Sequence, residues 1–304
     1  MSKVLVTGAT GYIGSHITRS LILDGYDVHI TMRPSSDNYL ISDLLDKVTV
    51  HTIDEKGEVF NNIFFKNCIE SVFHLATFFI SDHETQDITP LINSNILLGT
   101  HILDAAAKAG TKHIIYAGTH WQNYGGVNYD PVNLYAATKE CFQVLAKYYI
   151  NTSQLRMLTL KICDTYGKND PRNKVLPLLL KISKTQEYLE MSTGDQELGL
   201  VFIDDVVKAF KLAHERVKDL QAHEEETYMV APEKVYTLKE VAQFVTEVTG
   251  KELNIHWGKR PYRKREIMKV KPIAKNILEN QEMVDLKKGL ELILTYDKNR
   301  YVSP

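Results

Sequence analysis

The sequence predicts an α/β protein in which a doubly wound parallel sheet is joined by a smaller α/β lobe. Three observations carry the prediction. Short β-branched runs alternate with amphipathic stretches through the first half, three glycines cluster between the first run and the first amphipathic stretch, and the alternation stops after Gly167.

The elements follow in order. "KVLVTG" reads as a strand, "IGSHITRSLILDG" as a helix closed at Asp24-Gly25, and "DVHITMR" as a second strand. "VTVHTID" and "SVFHLAT" are further strands, and "NILLGTHILDAAAKAG" is a helix closed at Gly110. After "HIIYAG" come an aromatic loop, the helix "YAATKECFQVLAKYYINT" and the strand "MLTLKI". Such βαβ units bury both faces of a parallel sheet, which accounts for the nearly continuous apolar runs. "KNDPRNKVLP" breaks the rhythm with a Pro-bounded turn, "DDVVKAFKLAHERVK" returns as a helix of the first domain, and the chain grows more polar from about residue 225. The expected boundaries are 1–167 with 202–224 for the first domain, and 168–201 with 225–304 for the second lobe.

Composition excludes several classes. The chain has 304 residues, 44% hydrophobic and 24% charged, with a formal net charge of −2, so no global field draws it to nucleic acid or to an anionic membrane. No stretch approaches the ~20 apolar residues of a membrane span, and the N-terminus lacks the form of a signal peptide. The three cysteines form neither a CxxC pair nor an even-numbered framework, so they are expected to be buried, reduced thiols in a cytoplasmic protein with no metal site.

Gly8, Gly11 and Gly14 in "VLVTGATGYIGSHI" stand between a predicted strand and a predicted helix. That context suits a dinucleotide: the first glycine permits the tight turn, the second lets backbone approach a pyrophosphate, and the third lets helix and strand pack closely. The pyrophosphate then lies on the amides of the helix N-terminus. A tight strand-to-helix turn without a ligand has the same glycines.

The GxxGxxG spacing in "TGATGYIG" resembles the signature of the extended short-chain dehydrogenase/reductase (NAD-dependent epimerase/dehydratase) family, and the likeness extends along most of the chain. "VFHLAT" at 72–77, "NSNILLGT" at 93–100, "YAATK" at 135–139, "DTYGKNDP" and "VFIDDV" resemble that family's motifs in their order. The resemblance implies a Rossmann domain with a nicotinamide cofactor. It places cofactor contacts at Gly8, Thr10, Gly11, Tyr12, Ile13 and Gly14, at Leu75 and Ala76 beside the nicotinamide ribose, and at Ile162. Asp54 resembles the acid that contacts adenine. Tyr135 becomes the catalytic acid or base, Lys139 its partner, and Thr119 the hydroxyl residue that holds the substrate oxygen.

The spacing gives that chemistry independent sense. Tyr135 and Lys139 are i and i+4 on one helical face. Lowering a tyrosine from about 10 to neutrality requires roughly 4 kcal/mol, and an ammonium about 5 Å away at an effective dielectric near 20 supplies about 3 kcal/mol. His120, Trp121, Tyr124 and Tyr129 occupy the loop before the helix, where they either pack against their own domain or border a substrate. His74 fits a structural role.

The second strand ends in Thr31, then Arg33, Ser35 and Ser36, where members that bind NAD place an acid for the adenosine ribose. Arginine and small hydroxyls accept a 2′-phosphate, so NADPH (NADP) is preferred, with NAD possible as the alternative. Two departures bear on the substrate. Asp164 replaces the asparagine of the family's NxYG motif, and "STGDQELGLVFID" lacks the arginine that commonly binds the diphosphate of a nucleotide sugar. The segment resembles the CDP-abequose and CDP-paratose synthase branch, reductases of nucleotide-linked 4-keto sugars. That likeness implies a nucleotide-diphosphate sugar substrate contacted by Thr119, His120, Trp121, Asp164 and Arg260. Arg260, Arg263 and Arg265 of "GKRPYRKRE" supply guanidinium groups suited to a diphosphate, or form a solvated basic loop. The competing readings are a retained-NAD 4-epimerase and a reductase of a non-sugar small carbonyl compound, and dehydration is disfavoured because "THWQNY" lacks an Asp-Glu pair. The resemblance further implies a homodimer through a four-helix bundle built on helices 93–109 and 135–151, with Cys141, Val144 and Leu145 facing the partner.

Overall fold

The computed structural model describes residues 1–54 and 57–300. Its first strand, β1 (Lys3–Thr7), runs into α1 (Tyr12–Leu23), followed by β2 (Asp27–Met32) and the edge strand β3 (Thr49–Thr52). Helix α2 (Glu58–Asn67) leads to β4 (Ser71–His74), and then α3 (Ile88–Ile92) passes through a π-turn at Asn93–Leu97 into α4 (Leu98–Ala109). The helix expected over 93–109 therefore begins with one wide turn. β5 (His113–Thr119), α5 (Leu134–Thr152) and β6 (Arg156–Ile162) complete the first half. α6 (Val175–Thr185), α7 (Ile203–Asp219), α8 (Leu238–Thr249) and α9 (Leu286–Arg300) follow.

Seven parallel strands form the central sheet in the order Glu225–Val230, β6, β5, β4, β1, β2, β3. The chain winds outward from β1 to β3, then returns to β4 and winds the other way. Strands β1 and β4 are thus neighbours whose connections leave in opposite directions, and a crevice opens beyond their carboxyl ends. The two faces carry separate apolar clusters. Val4, Val6, Ile30 and Phe73 pack with α1 and α7 on one side, and Leu5, Val72, Ile114 and Met157 pack with α2, α4 and α5 on the other. Alternation along β1 divides its side chains between them.

Residues 225–230 correct the expected boundary at 225. They pair with β6 from Glu225↔Met157 to Val230↔Ile162, so they are the sheet's edge strand, and the change in the chain's role comes after Val230. Their polarity reflects an edge position, where one side of the strand meets solvent. Beyond it, short strands tie the late chain to the 168–201 segment: Tyr236–Thr237 pairs with Glu197–Leu198, and Ile255–His256 with Leu189–Glu190. Residues 301–304 of the expected lobe lie outside the described residues. The cysteines also differ from expectation. Cys163 is buried, but Cys68 is exposed as the left-handed C-cap of α2, and Cys141 on α5 is half-buried. Among the described residues no helix is long and apolar enough to cross a membrane.

Candidate active site

The crevice widens into a cavity of about 580 Å³, within the range of cofactor and substrate sites. Its floor at one end is the glycine turn. Gly8 has φ +74°, in the left-handed region, and a Cβ there would lie 2.6 Å from the Ala76 amide nitrogen; a Cβ on Gly14 would lie 2.0 Å from the Gly8 carbonyl oxygen. These two glycines let β1, β4 and α1 approach one another. Gly11 differs, because a Cβ would meet only the Gly8 oxygen at 3.3 Å and otherwise open space. α1 starts at Gly11 without a side-chain cap, and Tyr12, Ile13 and Gly14 of its first turn line the cavity, as do Gly8, Thr10 and Gly11. Uncapped first-turn amides facing a cavity fit an anionic pyrophosphate.

Across the crevice the Thr7 hydroxyl bridges the strand ends, accepting from the Ala76 amide at 3.2 Å and contacting His74 Nδ1 at 2.7 Å. Leu75 and Ala76 line the cavity as expected. His74 does not: it is buried between Tyr116 and Phe142, and burial pushes it down to about 3, so it is a neutral structural group. At the far edge Arg33, Thr31 and Ser36 line the wall. The Arg33–Ser36 turn is held by Arg33 N–H donating to Ser36 Oγ at 3.1 Å and Ser36 N–H to the Arg33 carbonyl at 3.0 Å. Asp37 is also at this rim, with its carboxylate accepting from the Tyr39 amide at 3.0 Å. Asp54 is not in the wall. Ile53 takes that place, and the Asp54 carboxylate turns back to accept from the Gly57 amide at 3.3 Å, before α2.

The other end is built on the start of α5. Asn133 caps this helix, accepting from the Ala136 amide at 2.9 Å and donating to the Ser81 carbonyl at 2.8 Å. The cap fixes Tyr135 and Lys139 on the cavity side of the helix, and both line the cavity with Thr119. Lys139 is 1% exposed, with Nζ 4.4 Å from the centroid of the Tyr116 ring. Burial pushes Lys139 down to about 7 and Tyr135 up to about 12, the latter opposed by a hydrogen bond with Thr77. Burial thus works against the expected lowering of Tyr135 by Lys139, because it desolvates both groups.

The aromatic loop resolves into two faces. Behind it is a buried polar network: Lys161 Nζ donates to Asn123 Oδ1 at 2.7 Å and lies 3.6 Å from Glu140. Gln122 accepts from the Thr119 amide at 2.9 Å and donates to Glu140 and Gln143 at 2.5 and 2.6 Å. In front, His120 and Trp121 line the cavity. His120 Nδ1 lies 3.1 Å from the Ile162 carbonyl, an acceptor only, so this nitrogen carries the proton. Burial holds His120 below its ordinary pKa. Ile162 and Asp164 complete the wall.

Four contributors escaped the sequence reading. Phe79 packs edge-on against Tyr135 with centroids 4.9 Å apart. Buried Asn95 joins the Phe78 backbone to α5, accepting from the Phe78 amide at 2.8 Å and donating to Thr138 at 2.9 Å. Arg172 lies 4.5 Å over the Tyr12 ring, and Lys174 lies 3.6 Å from Asp164. Arg260 is not brought in. It is exposed and outside the cavity wall, its amide donating to the Met191 carbonyl at 3.2 Å. The basic segment reaches the loop later, where Arg263 lies 5.9 Å from the Trp121 ring and Arg265 lies 4.3 Å over Tyr124.

Known proteins resemble this chain in sequence and in fold. The chain is 27% identical to the CDP-abequose synthase of Salmonella muenchen over 88% of this chain and 87% of that protein. It is 26% identical to that of Yersinia pseudotuberculosis over 88% and 90%. Among solved structures, a UDP-glucose 4-epimerase of Thermotoga maritima with UDP-glucose has a TM-score of 0.85 at 23% identity, covering 98% of this chain and 99% of that one. A UDP-glucose 4-epimerase of Thermus thermophilus with NAD has a TM-score of 0.82 at 21% identity, covering 97% and 99%. These likenesses agree with the seven-stranded parallel sheet. The profile of the NAD dependent epimerase/dehydratase family matches residues 4–231, and the chain belongs to that enzyme family.

Proposed function

We propose that this enzyme reduces the C4 keto group of a nucleotide-linked 4-keto-6-deoxy or 4-keto-3,6-dideoxy sugar, using NADPH. The observation that carries the reading is the end of β2, where Thr31, Arg33 and Ser36 line the cavity, while the acid at that rim, Asp37, comes only after the Arg33–Ser36 turn and accepts from the Tyr39 amide. A guanidinium with a hydroxyl beside it favours a 2′-phosphate. Similarity to CDP-abequose synthases along most of the chain supports a nucleotide-sugar substrate.

A bound nicotinamide would supply the hydride. The chain's own groups do the rest. Tyr135, pushed up to about 12, holds its proton at neutral pH and donates it from its hydroxyl oxygen to the oxygen that gains charge at C4. Thr119 donates a hydrogen bond to the same oxygen. Lys139, pushed down to about 7 by burial, lines the same cavity one helical turn after Tyr135. Phe79 and Trp121 give the sugar an apolar wall, which suits a ring whose C6 carries no hydroxyl.

The second reading is a 4-epimerase that retains NAD, favoured by the NAD-bound epimerase with this fold. One experiment separates the two: NADPH and NADH oxidation measured against a panel of nucleotide-linked 4-keto-6-deoxy sugars, with the dinucleotide content of the purified protein. Stoichiometric oxidation of NADPH supports reduction. Bound NAD without net oxidation, with interconversion of C4 epimers, supports the alternative. A homodimer through α4 and α5 belongs to the same proposal. Val144 and Tyr148 are 66% and 65% exposed on α5, with Ile92 and Leu97 exposed nearby in sequence to α4.

A further inference from the structure

We infer that Lys174 is the cation that grips the diphosphate of the substrate, and that Asp164 holds it in position until the substrate arrives. This rests on the nucleotide-sugar reading above. The segment 192–199, "STGDQELG", contains no arginine or lysine, and Arg260 is outside the cavity wall, so the diphosphate needs another partner.

Four cationic side chains line the cavity among the described residues: Arg33, Lys139, Arg172 and Lys174. Arg33 belongs to the turn after β2, beyond the glycine end. Lys139 is buried against the Tyr116 ring. Arg172 is committed, because its Nε and Nη2 each donate to Asp170 at 2.7 Å and Nη2 also reaches the Thr165 carbonyl at 2.7 Å. Lys174 differs from all three. Its ion pair with Asp164 spans 3.6 Å, longer than the roughly 2.7–2.9 Å of a charge-assisted hydrogen bond. Its Nζ also lies 4.1 Å from the Phe79 centroid and 5.7 Å from that of Trp121. An ammonium has three donors, and aromatic faces use none of them fully.

The position is on the sugar side of the cavity. Asp164 lies close enough to Tyr135 and His120 for its charge to raise both, and Phe79 packs on Tyr135 itself. A nucleoside diphosphate entering beside Trp121 brings two negative charges towards Asp164. Lys174 relieves that repulsion by turning its donors to the phosphate oxygens, which leaves the Asp164 carboxylate to accept from a sugar hydroxyl. The Asp164 and Lys174 pair thus selects an anionic substrate linked to a polar ring.

The test is calorimetric titration of the full chain with CDP, UDP and inorganic pyrophosphate, with NADPH as the control for folding and for the cofactor end. Lys174→Met should weaken CDP or UDP about tenfold to a hundredfold, as expected for loss of a charge-assisted contact, while Lys174→Arg stays within about threefold and NADPH binding is unmoved. Asp164→Asn, which removes the competing carboxylate, should tighten the nucleoside diphosphate by about threefold or more; a purely structural pair would show no tightening. If Lys174→Met binds CDP and UDP as the wild type does, the assignment falls and the nucleotide-sugar reading stands. A wild type that binds neither nucleotide overturns both. Pyrophosphate bound as tightly as CDP would make this a bare anion site and overturn the nucleoside diphosphate assignment.

Discussion

The two ends of the cavity are made of different material. At the glycine end, contacts come from backbone within one short run, Gly8 to Gly14, and their geometry follows from missing Cβ atoms. The opposite end is assembled from side chains far apart in sequence: Phe79, Trp121, Tyr135, Asp164 and Lys174. Backbone recognition tolerates no change at its key positions and has little freedom to specialise. Side-chain recognition specialises readily, and each residue contributes a separable amount.

The largest expected effect falls at the side-chain end. Tyr135→Phe should lower turnover by about a hundredfold to ten-thousandfold in the NADPH oxidation assay, with NADPH affinity nearly unchanged. Turnover close to wild type would place the proton donor elsewhere. Next is Gly14→Ala, which sets a Cβ 2.0 Å from the Gly8 oxygen. Roughly 3 kcal/mol or more of stability should be lost in urea unfolding, or NADPH binding abolished; unaltered stability and binding would remove the rigidity attributed to the glycine end.

A third test uses pH. Folding takes Lys139 from an ordinary lysine value near 10.5 to about 7, so between those values the unfolded chain holds a proton that the folded chain lacks. Stability without cofactor should therefore rise with pH across that window, by roughly 1–2 kcal/mol from pH 7 to 8.5, and the rise should be missing in Lys139→Met. Equal pH profiles for the two proteins would mean that Lys139 is solvated. Arg33→Ala should cost NADPH roughly 1–2 kcal/mol and leave NADH almost unchanged, measured by fluorescence titration; equal losses would separate Arg33 from the 2′-phosphate. The smallest effect is expected for Arg260→Ala, a change in substrate KM of less than about twofold, because the residue is exposed and outside the wall. A tenfold rise would bring the basic segment into the binding path.

This contrast also explains what could be read from the sequence. The sheet, its helices, the glycine turn and the Tyr135/Lys139 spacing are periodic or local, and periodicity survives without knowledge of the fold. Lys174 and Phe79 belong to irregular segments that no pattern marks, and Asn95 is one polar residue in a helical stretch whose partners lie on two other segments. Asp54 and Arg260 show the opposite error. Each has suitable chemistry near the right place, but a strand end presents alternate residues, so Ile53 and not Asp54 faces inward. The upward push on Tyr135 was illegible for a related reason: spacing shows that two groups are neighbours, but burial is a property of the whole fold.

The polar network behind the 119–123 loop has a consequence for retargeting the enzyme. Lys161, Glu140, Gln122 and Asn123 brace the inner side of that loop, while Trp121 alone among its neighbours stands half-exposed towards the cavity. A saturation library at position 121 should therefore exchange one interchangeable panel on a fixed frame, so that variants differ in which sugar they accept while their melting temperatures stay grouped.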